Sequence, residues 1–226
     1  MNKDQRDYKS NLKTISYKKA TFQYLNSNKK RFMDVIGSLL GICLGAPLLV
    51  ISCIIVIVVD HVPPVFVQAR FGLGGKPFNL VKLRTLKVLE KRDDVDPYRI
   101  HKKPDYETTR TGKFWRKTSI DELMQFWLVL KGEMSLIGHR PFPMYYIPHL
   151  KHLEGIDECD LEFYLQSIKC FKPGMSSLAS VSGRSSLTMQ EKFAFDLYYL
   201  QQATLIYDLK LIIHTLWVVI SCKNAK

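Results

Sequence analysis

The residues best suited to chemistry lie in Arg116-Lys-Thr-Ser-Ile-Asp-Glu-Leu-Met-Gln125. A carboxylate at a helix start can act as a nucleophile or a metal ligand. The free N–H groups and positive dipole end there favour its ionised form, and they also bind phosphate. Asp121 and Glu122 sit where such a start is expected, and Arg116 just upstream can hold phosphate oxygens bidentately. Neighbouring helical residues point about 100° apart, so Asp121 and Glu122 cannot face one another like a glycosidase pair, and distinct roles follow. A structural reading competes. Ser119-x-x-Glu122 is a capping-box pattern that predicts a helix from Ser119 to Gly132, with Leu123, Phe126, Trp127 and Leu130 on its apolar face. Gln125 then reads as an ordinary polar position on that helix.

The element that must position this stretch is an uncharged apolar segment, Val35 to Val59, interrupted by Pro47. About 25 residues at roughly 1.5 Å each could cross a bilayer core of about 30 Å. Proline, however, removes a backbone hydrogen bond and clashes with the carbonyl four residues back, and Gly41 and Gly45 loosen the same region. Two arrangements are consistent with this: a kinked transmembrane helix, or a re-entrant helix that dips into one leaflet and returns. Lys18, Lys19, Lys29, Lys30 and Arg31 precede the segment, while Arg70, Lys76, Lys82, Arg84 and Lys87 follow it. Basic flanks on both sides favour the re-entrant form, which keeps both in the cytoplasm. The apolar run starts too late and is too long for a signal peptide, and no small-residue cleavage site follows it.

The chain has 226 residues, room for one membrane element and one domain with a real core, and a net charge of +12. A basic excess suits an anionic membrane surface, a phosphorylated substrate or nucleic acid. Lysine and arginine are spread along the chain without a nucleic-acid-binding motif, so a nucleic-acid partner is not expected. Five cysteines without a C-x-x-C pair indicate neither a disulfide framework nor a zinc site, and fit a reducing cytosol. His149, His152 and Glu154 have spacing open to a metal, but also to a solvated helix face.

Three regions are expected: a basic amino-terminal arm over 1–28, the re-entrant membrane helix over 29–60, and a cytoplasmic catalytic domain over 61–226. The arm could lie as an amphipathic helix against anionic lipids. In the domain, Val65–Phe71 and Pro77–Leu83 read as strands of a small β-hairpin around Gly72-Leu-Gly-Gly-Lys76. That glycine cluster lacks the spacing of a phosphate loop and reads as a turn. A charged loop is expected over 88–109 and an irregular proline-rich stretch over 138–148. Helical patterns cover Leu150–Phe171 and Leu187–Tyr207, and an interfacial or core helix covers Asp208–Cys222. The fold class is α+β, mostly helical, with amphipathic surface helices against a membrane. No polytopic amino-terminal extension is expected, which points to a minimal catalytic form.

Ordered blocks from about Lys30 to Ser221 carry a family resemblance. They are Lys30-Arg-Phe-Met-Asp34 with the proline-interrupted segment, Pro64-Val-Phe-Val-Gln68 with Arg70-Phe-Gly72, Lys76-Pro-Phe78 and Lys82-Leu-Arg-Thr85. Then come Ser119-Ile-Asp-Glu-Leu123 with Gln125, Leu130-Lys-Gly-Glu-Met-Ser135 and Gly138-His-Arg-Pro141. The last are Lys172-Pro-Gly174, Gly183-Arg184, Asp196-Leu-Tyr-Tyr199 and Asp208-Leu-Lys210. The chain resembles the bacterial sugar transferases, monotopic phosphoglycosyl transferases acting on polyprenyl phosphate.

The resemblance implies transfer of a sugar 1-phosphate from a UDP-sugar to undecaprenyl phosphate, with release of UMP, as the first membrane step of glycan assembly. Asp121 would be the nucleophile, forming a covalent phosphosugar intermediate, and Glu122 would support it. Arg116 and Arg140 would hold phosphate oxygens, with Lys82, Arg84, Gly183 and Arg184 as further substrate-binding candidates. Mg²⁺, held in part by Asp121, would neutralise the diphosphate. The site would lie on the cytoplasmic face of the bacterial inner membrane, beside its anionic lipids. Neither the sugar nor the oligomeric state follows from the sequence. The chain departs from the family pattern at Ala46 before the membrane proline, Ala69, Met124, His139 and Ser176-Ser177. These departures motivate an alternative, an inactive membrane scaffold of a glycan-assembly complex. For Gly183-Arg184, a turn and a surface charge are the simpler reading.

Overall fold

The computed structural model describes residues 19–88, 106–143, 158–183 and 186–221. The chain is mostly helical, with three two-stranded sheets among the described residues. After a short helix α1 (Lys19–Leu25), α2 runs from Asn28 to Ile55, with Ser27 as N-cap accepting from the Lys30 N–H. A single π-turn, Val56–Asp60, carries it on to His61, which ends it in the left-handed conformation at φ 55°. The helix passes through Pro47 without interruption, against the expected break. Proline's fixed φ is itself helical, so its cost is one lost hydrogen bond and local crowding rather than an obligatory end.

α2 is long and apolar enough to cross a membrane by length and composition, and only about 17% of its most apolar stretch is buried. One face packs on the rest of the protein. Gly41 lies against the Phe126 ring and Gly45 against Leu123, and an added Cβ at Gly41 would meet that ring at 2.5–2.6 Å. At the amino-terminal end, Lys30 Nζ donates to Asp208 Oδ2 (2.5 Å) and to the Ile137 carbonyl (3.0 Å). Asp34 accepts from Ser135 Oγ and the Leu136 N–H, both at 3.0 Å. At the other end, Asp60 accepts from the Thr111 N–H (3.1 Å) and hydroxyl. Both ends of the apolar helix are therefore tied to the same folded body. The opposite face is bare: Leu40, Leu44, Val50, Ile54 and Val58 are all more than half exposed.

The hairpin forms as expected. β1 (Val65–Phe71) and β2 (Pro77–Leu83) pair antiparallel, Val65 opposite Leu83 and Phe71 opposite Pro77. Gly74 and Gly75 make the turn at φ 71° and 75°, where a side chain would be strained. Two small sheets were not anticipated. β3 (Leu86–Val88) pairs antiparallel with β4 (Tyr106–Thr108), bounding the predicted charged loop, whose residues 89–105 lie outside the described ones. β5 (Ser135–Ile137) pairs parallel with β6 (Gly174–Ser176). Gly138 and Gly174 approach so closely there that a Cβ on either would clash with the other's backbone.

α3 (Gly112–Thr118) and α4 (Gln125–Lys131) flank the dyad, and Gly132 at φ 89° ends α4 as predicted. Trp127, expected on the buried face, is 57% exposed, because the face packed on α2 is carried by Leu123 and Phe126. α5 (Glu158–Cys170) takes the place of the helix read from Leu150; residues 144–157 lie outside the described ones, with His149 and His152. After β6 come α6 (Leu178–Ser182) and α7 (Met189–Gln202), the latter opened by a true capping box of Thr188 and Glu191. The chain turns at Ala203 and restarts as α8 (Leu205–Ile220), capped by Thr204, several residues before the predicted boundary. α8 shows a period-matched exposed stripe of Ile206, Leu209, Ile213, Trp217 and Ile220.

Candidate active site

The short cluster of Val56, Leu83, Trp115 and Ile120 decides where the dyad goes. It locks the far end of the apolar helix, the end of β2 and α3 onto the residue immediately before Asp121. The capping box predicted at Ser119 does not form. Ser119 instead ends α3 in the left-handed conformation (φ 60°) and its side chain makes no capping bond. Ile120–Glu122 then form a single 3₁₀ turn, and α4 begins only at Gln125. Glu122 is thereby freed from a capping role and turns to Lys82 of β2, whose Nζ donates to Oε1 at 2.6 Å. The left-handed Ser119 is a sparsely populated backbone position immediately before the two acids.

Asp121 is buried, with 9% of its surface exposed. Its carboxyl is pushed up to about 7, first by burial and then by the neighbouring Glu122 charge, while Lys82 and Arg116 pull in the opposite direction. The fully ionised carboxylate expected of a helix start is thus replaced by one poised near neutrality. The residues that the structure gathers are Asp121, Glu122, Lys82 and Arg116.

An open cleft beside the dyad encloses about 400 Å³ and is lined by Lys82, Glu122, Gln125, Arg70, Arg140 and the β6–α6 loop of Ser176, Ser177 and Ser180, among others. Arg140 is exposed at this cleft, and its backbone N–H donates to Asp196 Oδ2 at 3.0 Å. Asp196 is fully buried, also accepts from the Tyr164 hydroxyl (3.2 Å), and is raised to about 7 by burial. His139 fills the place of the family's proline without leaving the fold. It is fully buried, its ring nitrogens lie 3.2 Å from the Arg140 and Phe171 carbonyls, and burial pushes its pKa down.

Two candidates are placed elsewhere. Arg84 does not line the cleft: Nε donates to the Pro63 carbonyl (2.7 Å), Nη2 to the Val65 carbonyl (3.1 Å), and the guanidinium lies over the Phe66 ring. Gly183 closes α6, where a Cβ would meet Leu187 at 2.7 Å; Arg184 lies outside the described residues. Sequence reading missed three residues near the dyad or cleft. Arg70 lines the cleft and bonds the Pro141 carbonyl (2.9 Å) and Gln68 (2.5 Å). Lys192 stands close enough to Arg140 that the two cations repel, which with burial lowers its pKa. Gln125 is buried, with its Nε2 lacking a hydrogen-bond partner. The family blocks flagged Arg70 and Gln125 without a role, whereas nothing in the sequence separated Lys192 from other surface lysines.

No group of three or more His, Cys, Asp or Glu side chains is placed to hold a metal among the described residues. The two dyad carboxylates remain, which is the donor set that Mg²⁺ uses when substrate phosphates complete its shell.

The blocks, the dyad and the apolar helix fit a single comparison. A family profile described as bacterial sugar transferase matches residues 25–222. The chain belongs to the bacterial sugar transferase family. It is 34% identical to the UDP-glucose:undecaprenyl-phosphate glucose-1-phosphate transferase of Caulobacter vibrioides, over 87% of this chain and 72% of that protein. It is 32% identical to the galactosyl transferase CpsE of Streptococcus agalactiae, over 94% of this chain and 46% of that one. It is 34% identical to the UDP-galactose-lipid carrier transferase of Erwinia amylovora, over 87% of this chain and 41% of that one. The chain thus spans about half the length of CpsE or less of the Erwinia protein. Family members that it resembles are named for different sugars.

Proposed function

We propose that this protein transfers a sugar 1-phosphate from a UDP-sugar to undecaprenyl phosphate through a covalent intermediate on Asp121, and that it does so at the cytoplasmic face of the bacterial inner membrane. The observation that carries this reading is a buried carboxyl, poised near neutrality between Lys82 and Arg116, on a turn locked to an apolar helix. Glucose and galactose transferases among the relatives supply the reaction class.

In the first step, ionised Asp121 attacks the β-phosphorus of the UDP-sugar. The bond from that phosphorus to the bridging oxygen breaks, and its electron pair departs on UMP. In the second, an oxygen of undecaprenyl phosphate attacks the same phosphorus and returns the electron pair to the Asp121 carboxylate. A higher pKa strengthens the carboxylate as nucleophile and weakens it as leaving group, and a carboxyl near 7 balances the two while still ionised in useful amount at neutral pH. Arg116 and Lys82 stabilise charge on the transferring phosphoryl group, and Arg140 and Arg70 extend that positive lining toward the nucleotide phosphates. Glu122, paired with Lys82, holds that lysine in place and raises Asp121. Mg²⁺ would be held by Asp121 and Glu122 with the diphosphate, whose charge it would neutralise.

Both flanks of α2 lie on one side of the membrane, as in the re-entrant arrangement, although no break at Pro47 divides the helix. Both ends of α2 bond to one folded body, through Lys30 and Asp34 at one end and Asp60 at the other, which supports departure and return on the same side. The exposed apolar faces of α2 and α8 supply the lipid contact. The lipid phosphate and the soluble nucleotide then meet at the dyad.

The test is UMP release by the purified chain with a panel of UDP-sugars, undecaprenyl phosphate and Mg²⁺, run with Asp121→Asn and with chelator. One donor should release UMP, chelation should stop it, and Asp121→Asn should neither release UMP nor carry a phosphosugar adduct by intact mass. Adduct formation by Asp121→Asn would assign the wrong nucleophile. Silence with every donor would return the scaffold alternative.

A further inference from the structure

Among the described residues a second cavity exceeds the cleft of the dyad. On the same measure it encloses about 650 Å³, lies at the amino-terminal end of α2, and shares no lining residue with the cleft. Three cations converge on it: Lys30, Arg31 and Lys172. Asp34 is the one acid in its wall.

The partners of these groups are unequal. Lys30 is spent, bonded to Asp208 and to the Ile137 carbonyl. Asp34 is likewise satisfied by Ser135 and Leu136. Arg31 gives Nη1 to the Val129 carbonyl (2.7 Å) and Nη2 to the Leu130 carbonyl (2.6 Å), which leaves its other N–H groups. Lys172, half-buried, makes no hydrogen bond or ion pair among the described residues, yet its ammonium lies beside the Arg31 guanidinium over Gly132, each 3.5 Å from where a Cβ would stand. Two partly buried cations held together, one with all its protons free, repel unless an anion joins them. Burial and the charges of Arg31 and Lys30 accordingly depress Lys172, with Asp34 opposing. The first turn of α2 adds backbone N–H groups with no intrahelical partner.

We propose that this cavity binds one phosphate group, with Lys172 and Arg31 as its principal donors. A tetrahedral anion with several acceptor oxygens matches donors arriving from the α2 start, from Arg31 and from the β6 approach. The phosphate can belong to a phospholipid headgroup or be free in solution. One exposed ring sits beside the cavity: Phe22 lies edge-on against Phe171 of the wall, the ring centroids 5.6 Å apart. On the re-entrant reading this end of α2 meets the headgroup layer, where aromatic rings lie alongside lipid phosphates. Phosphate binding itself does not depend on that reading, nor on the reaction at Asp121.

The experiment uses the full chain in neutral detergent. Lysine reactivity toward an acylating reagent is followed site by site by mass spectrometry, with inorganic phosphate against chloride at matched ionic strength. The same footprint is taken on phosphatidylcholine vesicles with and without phosphatidylglycerol. Lys169, exposed and outside the cavity, is the internal reference. Protection of Lys172 but not Lys169 by inorganic phosphate identifies a free-phosphate site. Protection by phosphatidylglycerol vesicles alone identifies a headgroup site. In parallel, phosphate at about ten times its dissociation constant should raise the unfolding midpoint by roughly 3–6 °C. That rise should survive in Lys169→Gln and in Arg116→Gln, which disables the catalytic cleft, and vanish when Lys172→Gln is added to Arg116→Gln. Equal behaviour of Lys172 and Lys169 in the phosphate and vesicle footprints overturns the proposal, and a Lys172→Gln/Arg116→Gln protein that responds to phosphate as Arg116→Gln does overturns it as well.

Discussion

Asp196→Asn isolates one buried charge. Asp196 is fully buried under Arg140, and its carboxyl rises from 3.8 to about 7 because burial disfavours the ion. Below pH 3.8 it is protonated in both folded and unfolded chains and contributes no pH dependence. Between there and about 7 the folded protein keeps the proton that the unfolded chain has lost, so stability falls as pH rises. Above about 7 the loss is complete. Three pH units at about 1.4 kcal/mol each make it about 4 kcal/mol. Asparagine keeps an oxygen for the Arg140 N–H and the Tyr164 hydroxyl but never ionises. The assay is urea unfolding of both proteins in mild detergent at steps from pH 4 to 8. Other titrating groups cancel in the difference between the two curves, leaving this carboxyl. Asp196→Asn should gain on the unaltered protein by about 4 kcal/mol across that range. A difference that stays flat with pH would refute the reasoning, since it would mean that Asp196 is ionised in the folded protein as readily as in the unfolded one.

Three further outcomes are expected. Asp121 must be ionised to attack, so kcat/KM should rise with pH through its pKa; because the Glu122 charge raises that pKa, Glu122→Gln should move the acidic limb to lower pH, and Lys82→Met should move it higher, whatever either does to the plateau. A limb fixed in both variants would assign it to another group. Gly41→Leu should overpack the contact with Phe126 and cost about 1–3 kcal/mol, read as a lower thermal midpoint, while Phe126→Ala in the same chain should recover part of it. Arg84→Met should lower stability by about 1–3 kcal/mol through its lost carbonyl bonds yet leave the KM for the nucleotide sugar unchanged, because the guanidinium serves the start of β1 and not the cleft.

What the sequence revealed depended on the range of the interaction. The β1–β2 hairpin was legible to the residue because alternation and a glycine turn are local. The pairings of β3 with β4 and β5 with β6 join three-residue strands across long separations, and so short a strand carries too little periodicity to announce itself. Ser119 shows the limit from the other side. Its spacing to Glu122 is that of a true capping box, the same one that forms at Thr188 and Glu191. It fails at Ser119 because Ile120 is drawn into the cluster with Val56, Leu83 and Trp115, which bends the chain into the left-handed conformation first. Tertiary packing overrode a local preference of about 1 kcal/mol.

That override links the apolar helix to the candidate chemistry. Gly41 and Gly45 were legible as weak points in an apolar segment, but their partners could not be read from the sequence. Those partners, Phe126 and Leu123, follow the dyad, while Val56 packs with Ile120, which precedes it. The turn carrying Asp121 is therefore gripped on both sides by one helix. Small residues let the helix approach closely enough to hold the dyad turn, and their absence of side chains on that face leaves the bulky ones for the other, where Leu40, Leu44 and Val58 stand exposed. A helix that only anchored the protein would need no such division of faces. Here the distribution of glycine and leucine around one helix sets the apolar surface and the position of Asp121 together, so moving the helix would move the candidate site with it.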